Sequence, residues 1–167
     1  MSMGQRSPLA DSWLDSSVLI EAHARYYAMD IAPPFWAFLD AQAAAGRVQA
    51  PLQTFQELVD YGDRLSDWVR ARQATVFVEP DQQVQQSLTQ IADYVIATYE
   101  PYRARQFLNG ADPWLIAHAK AHGGKVVTKE IQAGPGGLTP KIPNVCAEFD
   151  VPLVRTWDML RELGFRF

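Results

Sequence analysis

Two aspartates stand where the chain changes direction. Asp15 closes the apolar run Trp13-Leu14 and is followed by Ser16-Ser17-Val18-Leu19-Ile20, while Asp112 lies in Gly110-Ala111-Asp112-Pro113, at the start of a helix-like segment. A third acid, Glu130, follows Val126-Val127-Thr128-Lys129. Each carboxylate is placed at the edge of an element rather than on an open polar face. Oxygen ligands of this type suit hard cations such as Mg²⁺ or Mn²⁺. Such a cation lowers the pKa of a bound water and offsets the charge that grows on a phosphate under attack. The chemistry implied is metal-dependent phosphodiester hydrolysis. Ordinary structural roles exist beside it: Asp15 can cap the helix after it, and Asp112 before Pro113 is a common helix start.

The elements that must bring these acids together follow from local pattern. Ser12 to Asp15 reads as a short buried strand, and Ser17 opens a helix over Val18 to Tyr26. Pro33-Pro34 followed by Phe35-Trp36-Ala37-Phe38-Leu39 predicts a helix with proline in its first turn, ended by Gly46. Val48 to Ala50 suits a short strand. Thr54 and Glu57 match a capping box for a helix to Tyr61, and Asp63 to Arg72 carries Leu65, Trp68 and Val69 on one face. Thr75 to Val78 reads as a strand. Gln82 to Tyr99, with Val84, Leu88, Ile91, Ala92, Val95 and Tyr99 at steps of three and four, is the clearest amphipathic helix. Asp112-Pro113 caps Trp114 to His122, ended by Gly123-Gly124. Lys125 to Thr128 is a second central strand, Lys129 to Pro143 a glycine- and proline-rich loop. Val151 to Val154 is a further short strand, and Trp157 to Leu163 a last helix. Strands separated by helices predict an α/β sandwich with a mostly parallel sheet, whose sites form outside the carboxyl ends of the strands.

At 167 residues and 48% hydrophobic, the chain has enough apolar sequence for one layered domain. No apolar run is long enough for a membrane span and the N-terminus carries no signal-like pattern, so a cytoplasmic protein is expected. One cysteine, Cys146, excludes an internal disulfide and a cysteine cluster. A net charge of −4 does not suit a binder with a broad basic face. It is compatible with a site made of carboxylates that is negative until a cation arrives. Arg64, Arg70 and Arg72, or Arg103 and Arg105, are the basic groups that could border a substrate channel.

The pieces Leu14-Asp15-Ser16-Ser17-Val18-Leu19-Ile20, Glu57-Leu58, Gly110-Ala111-Asp112-Pro113-Trp114-Leu115-Ile116-Ala117 and Val126-Val127-Thr128-Lys129-Glu130 together resemble the PIN-domain nucleases. The likeness is closest to a small PIN-like family similar to the toxins of bacterial toxin–antitoxin pairs. Arg25-Tyr26-Tyr27, Pro34-Phe35-Trp36, Lys141-Ile142-Pro143-Asn144-Val145-Cys146 and Asp158 to Gly164 also fit that smaller family. The resemblance spans about Trp13 to Gly164. It implies a PIN-like three-layer sandwich over residues 13–167 behind a flexible segment, residues 1–12. It further implies that Asp15, Glu57, Asp112 and Glu130 are catalytic and hold Mg²⁺ or Mn²⁺, with Glu130 at a position usually Asp. Ser17, Thr128 and Lys129 are then candidates to orient Asp15 or contact substrate. The implied activity is an endoribonuclease acting on RNA as a toxin, with an antitoxin and a homodimer as possible partners. The alternatives are a PIN-fold interaction module that no longer cuts, a DNA nuclease, or another phosphohydrolase with the same acidic site.

Other candidates have a structural explanation. The Thr54 capping box accounts for Glu57 by itself. Glu21 and Asp30 are spare acids near the same segments. His118 and His122 have the spacing of a zinc pair but lack a third ligand, and read as surface or helix-end histidines, His122 well placed near a helix C-terminus. Tyr26, Tyr27, Phe35, Trp36 and Phe38 suit core packing, with a tyrosine left over to face substrate. The glycines at 134, 136 and 137 lack a phosphate-loop pattern.

Overall fold

The three residues Ser12–Leu14 form β1, the middle strand of the structure, which is a computed structural model describing residues 11–132, 134 and 137–167. Their side chains alternate between two cores, as a period of two requires. Leu14 packs into one core and Trp13 into the other, both 1% exposed. After α1 (Ser16–Glu21) and a π-helical turn (Ala22–Tyr26) come α2 (Pro33–Ala44), β2 (Val48–Pro51) and α3 (Leu52–Leu58). A 3₁₀ turn (Val59–Tyr61) leads to α4 (Arg64–Ala71), α5 (Gln73–Val76) and β3 (Phe77–Val78). The second half contains α6 (Gln82–Thr98), α7 (Pro101–Asn109), α8 (Asp112–His122), β4 (Lys125–Val127), α9 (Ile142–Glu148), β5 (Leu153–Val154) and α10 (Thr156–Glu162).

The five strands pair in the order β3-β2-β1-β4-β5, every pair parallel. In the centre Trp13 is in register with Val126 and Leu14 with Val127. The same alternation recurs in β4, where Val127 joins the Leu14 core and Val126 the Trp13 core. Helices α1, α2, α4 and α10 cover the first face through Leu19, Phe35, Leu39, Val69 and Met159. On the other face α6, α8 and α9 pack Ile91, Val95, Leu115, Ile116 and Val145 against the sheet. The protein is therefore an α/β sandwich with a parallel central sheet flanked by helices, the architecture a βαβ succession requires. Among the described residues no helix is long and apolar enough to cross a membrane.

Several elements differ from the sequence pattern. Thr75 and Val76 belong to α5, because their N–H groups bond back to the Arg72 carbonyl at 3.1 and 3.0 Å, so β3 is reduced to Phe77–Val78. The helix expected over Val18–Tyr26 changes at Ala22 into the wider π turn. Two helices with proline in their first turn, α7 and α9, were not separated from their surroundings by periodicity; α9 takes Ile142 and Pro143 out of the expected loop. Residues 1–10 of the expected flexible segment lie outside the described residues, as does Gly136 of the glycine group. Asp11 and Ser12 are tied in: the Asp11 carbonyl accepts from Lys125 N at 2.9 Å, and Ser12 N donates to Arg47 O at 3.1 Å.

Candidate active site

Asp15 leaves the end of β1 with its N–H donating to Val127 O at 2.9 Å, which extends the β1–β4 ladder by one residue. Its side chain is held from both sides. Ser17 Oγ donates to Asp15 Oδ2 at 2.5 Å, and Thr128 Oγ1 donates to the same oxygen at 2.7 Å. Asp15 is 5% exposed and Thr128 is fully buried, so the second bond forms away from water. Asp15 is the residue before α1 but accepts no capping bond. Its carboxylate is turned to the hydroxyls rather than to the helix.

Thr128 reaches further. Its Oγ1 accepts from Glu130 N at 3.1 Å, so one hydroxyl fixes both Asp15 and the backbone that carries Glu130. Glu130 Oε2 accepts from Ile142 N at 3.1 Å, next to the start of α9. Burial raises the Glu130 pKa, with the Ile142 bond and the charges of Lys141 and Lys129 opposing and that of Asp15 adding to the rise. Replacing Thr128 with valine keeps the shape but leaves Asp15 and Glu130 N without this partner. The expected loss is about 2 kcal/mol of unfolding free energy, read from urea titration. An unchanged midpoint and slope would mean that the hydroxyl holds nothing.

Glu57 lies on α3, and its role is not the local cap. The residue before α3 is Pro51, Thr54 is buried inside the helix, and Glu57 Oε1 accepts instead from Ala111 N, 54 residues away, at 2.9 Å. That bond ties α3 to the start of α8. Asp112 is the first residue of α8, and no side-chain cap bond is made at this end either. Burial pushes its carboxyl up to about 7, and the charges of Asp15, Glu130 and Glu57 raise it in that order. Asp15, Glu130 and Glu57 are thus near enough to Asp112 for their charges to act on it.

A ligand set is a stricter requirement than mutual influence. Among the described residues no three His, Cys, Asp or Glu side chains come close enough together to hold a metal ion. The four-carboxylate ligand set expected from the sequence is thus not drawn together in this arrangement. The donor chemistry nonetheless suits a hard cation. Mg²⁺ keeps several waters and needs only one or two carboxylates, and the bonds from Ser17 and Thr128 both fall on Asp15 Oδ2.

A family model matches residues 13–167, described as a domain of unknown function, DUF4411. The chain belongs to the DUF4411 family. No curated protein matches it.

Around the acids of this DUF4411 domain, the remaining candidates fall into place unevenly. Lys129 Nζ lies 3.3 Å from Glu21 Oε2 and is exposed, and Lys129 N donates to Ser17 Oγ at 3.4 Å, so Glu21 and Lys129 stand beside the Asp15 cluster. Arg72 is not at the site: its guanidinium pairs with Asp40 and lies over the Trp68 ring. His118 is not a surface histidine. It is 1% exposed, stacked on Trp13 with ring centroids 4.6 Å apart, and pushed down to about 4 by burial. His122 sits at the end of α8 as expected, 2.8 Å from Asp81. Cys146 is buried in α9, not in a loop, and its thiol is pushed up to about 12 by burial and by the charge of Glu130. Sequence reasoning did not single out Arg155 or Trp157, which line a groove with Ser17 and Lys129. Nothing local marked them: Arg155 is the residue between β5 and α10, Trp157 is the second of α10, and only the folded chain brings them to Ser17 on α1.

Proposed function

We propose that this protein is a divalent-metal-dependent endoribonuclease on a PIN-like sandwich, serving as the toxin of a toxin–antitoxin pair. The observation that carries the reading is the placement of the acids: Asp15 is buried at the end of β1 and held by Ser17 and Thr128, Thr128 also holds the backbone of Glu130, and Glu57 is tied to Ala111 beside Asp112. Gathering negative charge at the carboxyl ends of parallel strands costs stability, and a cation is what offsets it. A Mg²⁺ or Mn²⁺ bound there supplies an activated water and neutralises charge on the phosphate. Asp15 and Asp112 are the acids to hold it, directly or through water. Ser17 and Thr128 fix the orientation of Asp15 through Oδ2, leaving Oδ1 for the cation. Glu57 positions the start of α8 through Ala111 N and keeps Oε2 for a water. Glu130 is anchored at Ile142 N, which suits a water-mediated contact better than a direct one. An antitoxin that inserts a cationic group among these acids would compete with the metal.

The test is cleavage of end-labelled single-stranded RNA by protein purified free of any partner, with Mn²⁺, Mg²⁺ and EDTA arms and Asp15→Asn alongside. Cleavage that needs the metal and drops about a hundredfold or more in the variant is expected. Flap DNA and a phosphomonoester run in parallel identify the substrate if RNA is left intact. Calorimetry showing no Mn²⁺ uptake by folded, inactive protein would replace the enzyme with an interaction module.

A further inference from the structure

A groove of about 410 Å³, counted to its open mouth, begins at Ser17 and Lys129 and is walled by Glu21, Tyr26, Arg155 and Trp157. It adjoins the acids directly, because Ser17 Oγ is 2.5 Å from Asp15 Oδ2. Two large aromatic side chains stand open in it: Tyr26 is 53% and Trp157 41% exposed. They touch edge to face, with centroids 5.9 Å apart and an interplanar angle of 79°, so a flat partner stacked on one ring meets the edge of the other.

The exposure of Tyr26 is built into the backbone. Tyr27 N donates to Ala22 O at 2.8 Å, a bond across five residues that widens the turn. Tyr27 then packs against Phe35, 4.4 Å away and nearly coplanar, while its carbonyl accepts from Trp36 Nε1 at 2.6 Å. With Tyr27 locked inward, Tyr26 is turned out. Such π-helical turns are rare and concentrate at functional sites. The charges in the groove are complementary to a phosphate. Arg155 is exposed, its backbone N–H donates to Asp158 Oδ2 at 3.4 Å, and its guanidinium is in no ion pair among the described residues, while Lys129 pairs with Glu21.

We propose that this groove holds one nucleotide of a single-stranded nucleic acid, with its base stacked on Trp157 against the edge of Tyr26 and its phosphate at Arg155 and Lys129. The assignment rests on the nuclease reading in taking that nucleotide to adjoin the phosphate cleaved at Asp15. Stacking requires an unpaired base, so a duplex does not fill the groove.

The experiment is a fluorescence-anisotropy titration in EDTA, so that nothing is cut, with fluorescein-labelled ten-nucleotide RNA and DNA single strands and an RNA duplex as probes. Tyr26→Ala and Trp157→Ala each weaken single-strand binding about tenfold, and Trp157→Phe stays within about threefold of the original protein. Arg155→Gln weakens it and flattens its salt dependence. Duplex affinity is unchanged throughout. The RNA and DNA arms show which sugar the groove accepts. Alanine variants that stay folded, by melting temperature, and bind within twofold of the original overturn the proposal, as does a protein that binds neither single strand. Metal-dependent cleavage by the original protein, measured separately, keeps the two conclusions apart. Cleavage with unchanged affinities in the variants removes the groove and spares the nuclease. Weakened affinities without any cleavage spare the groove and remove the nuclease.

Discussion

Asp112→Asn makes the metal-free protein more stable at pH 8 and leaves it unchanged near pH 3.5. In the folded protein this carboxyl titrates at about 7, against 3.8 as its unperturbed value. Below both values the acid is protonated in folded and unfolded chains alike and contributes no difference. Between them the unfolded chain ionises freely while the folded one keeps its proton, so stability falls as pH rises from about 4 to about 7. The full shift corresponds to about 4 kcal/mol; since Asp112 is only half-buried, water screening reduces this to about 2 kcal/mol. Asparagine removes that loss, and the melting temperature of the metal-free variant rises by about 4–8 °C at pH 8. His118 works in the opposite direction. Its pKa is lowered, so stability rises as pH climbs from about 4 towards 6.5. Only the difference between variant and original isolates Asp112. Adding millimolar Mn²⁺ should raise the melting temperature of the original protein and not that of the variant. A difference independent of pH, or a variant less stable at pH 8, would show that the four acids do not strain one another.

Trp13→Ala has the larger structural effect, a loss of about 4 kcal/mol in unfolding free energy by urea titration at pH 7. Trp13 is 1% exposed on the central strand, with Val126 in register beside it and the His118 ring stacked on it. Deleting the indole empties the middle of one core layer and exposes a histidine whose two ring nitrogens have no protein partner. Trp13→Phe keeps most of the volume and should lose about half as much. The site is affected as well, because Asp15 is two residues further along the same strand end. A loss below about 1 kcal/mol for the alanine variant would mean that the two layers are not coupled through β1.

The acids that could be read from the sequence are those whose element ends are set locally. Asp15 follows an apolar run, and Asp112 precedes a proline at a helix start; both are found at those ends. Glu57 shows where local pattern stops. Thr54 and Glu57 have the spacing of a cap, yet the carboxylate goes to Ala111 N across 54 residues, because Pro51 already starts the helix and Thr54 is buried. Periodicity cannot register a contact of that separation. His118 failed for a related reason: α8 is buried on much of its circumference, so its histidine meets Trp13 rather than water. Residues 73–78 combine helix and strand within six positions, too short a span for either period to dominate.

Asp15 and its buried hydroxyl partner Thr128 are separated by 113 residues. At roughly 5–20 residues per second, about 6–23 s of synthesis pass between them. Throughout that interval β1 has β2 on one edge but no β4 on the other, its Trp13 side has no lasting cover, and the first acid has Ser17 as a donor but not yet Thr128. The central strand of this sheet is among the first parts of the chain to be made and is paired on its second edge only late. The four acids cannot stand together before residue 130 has been made.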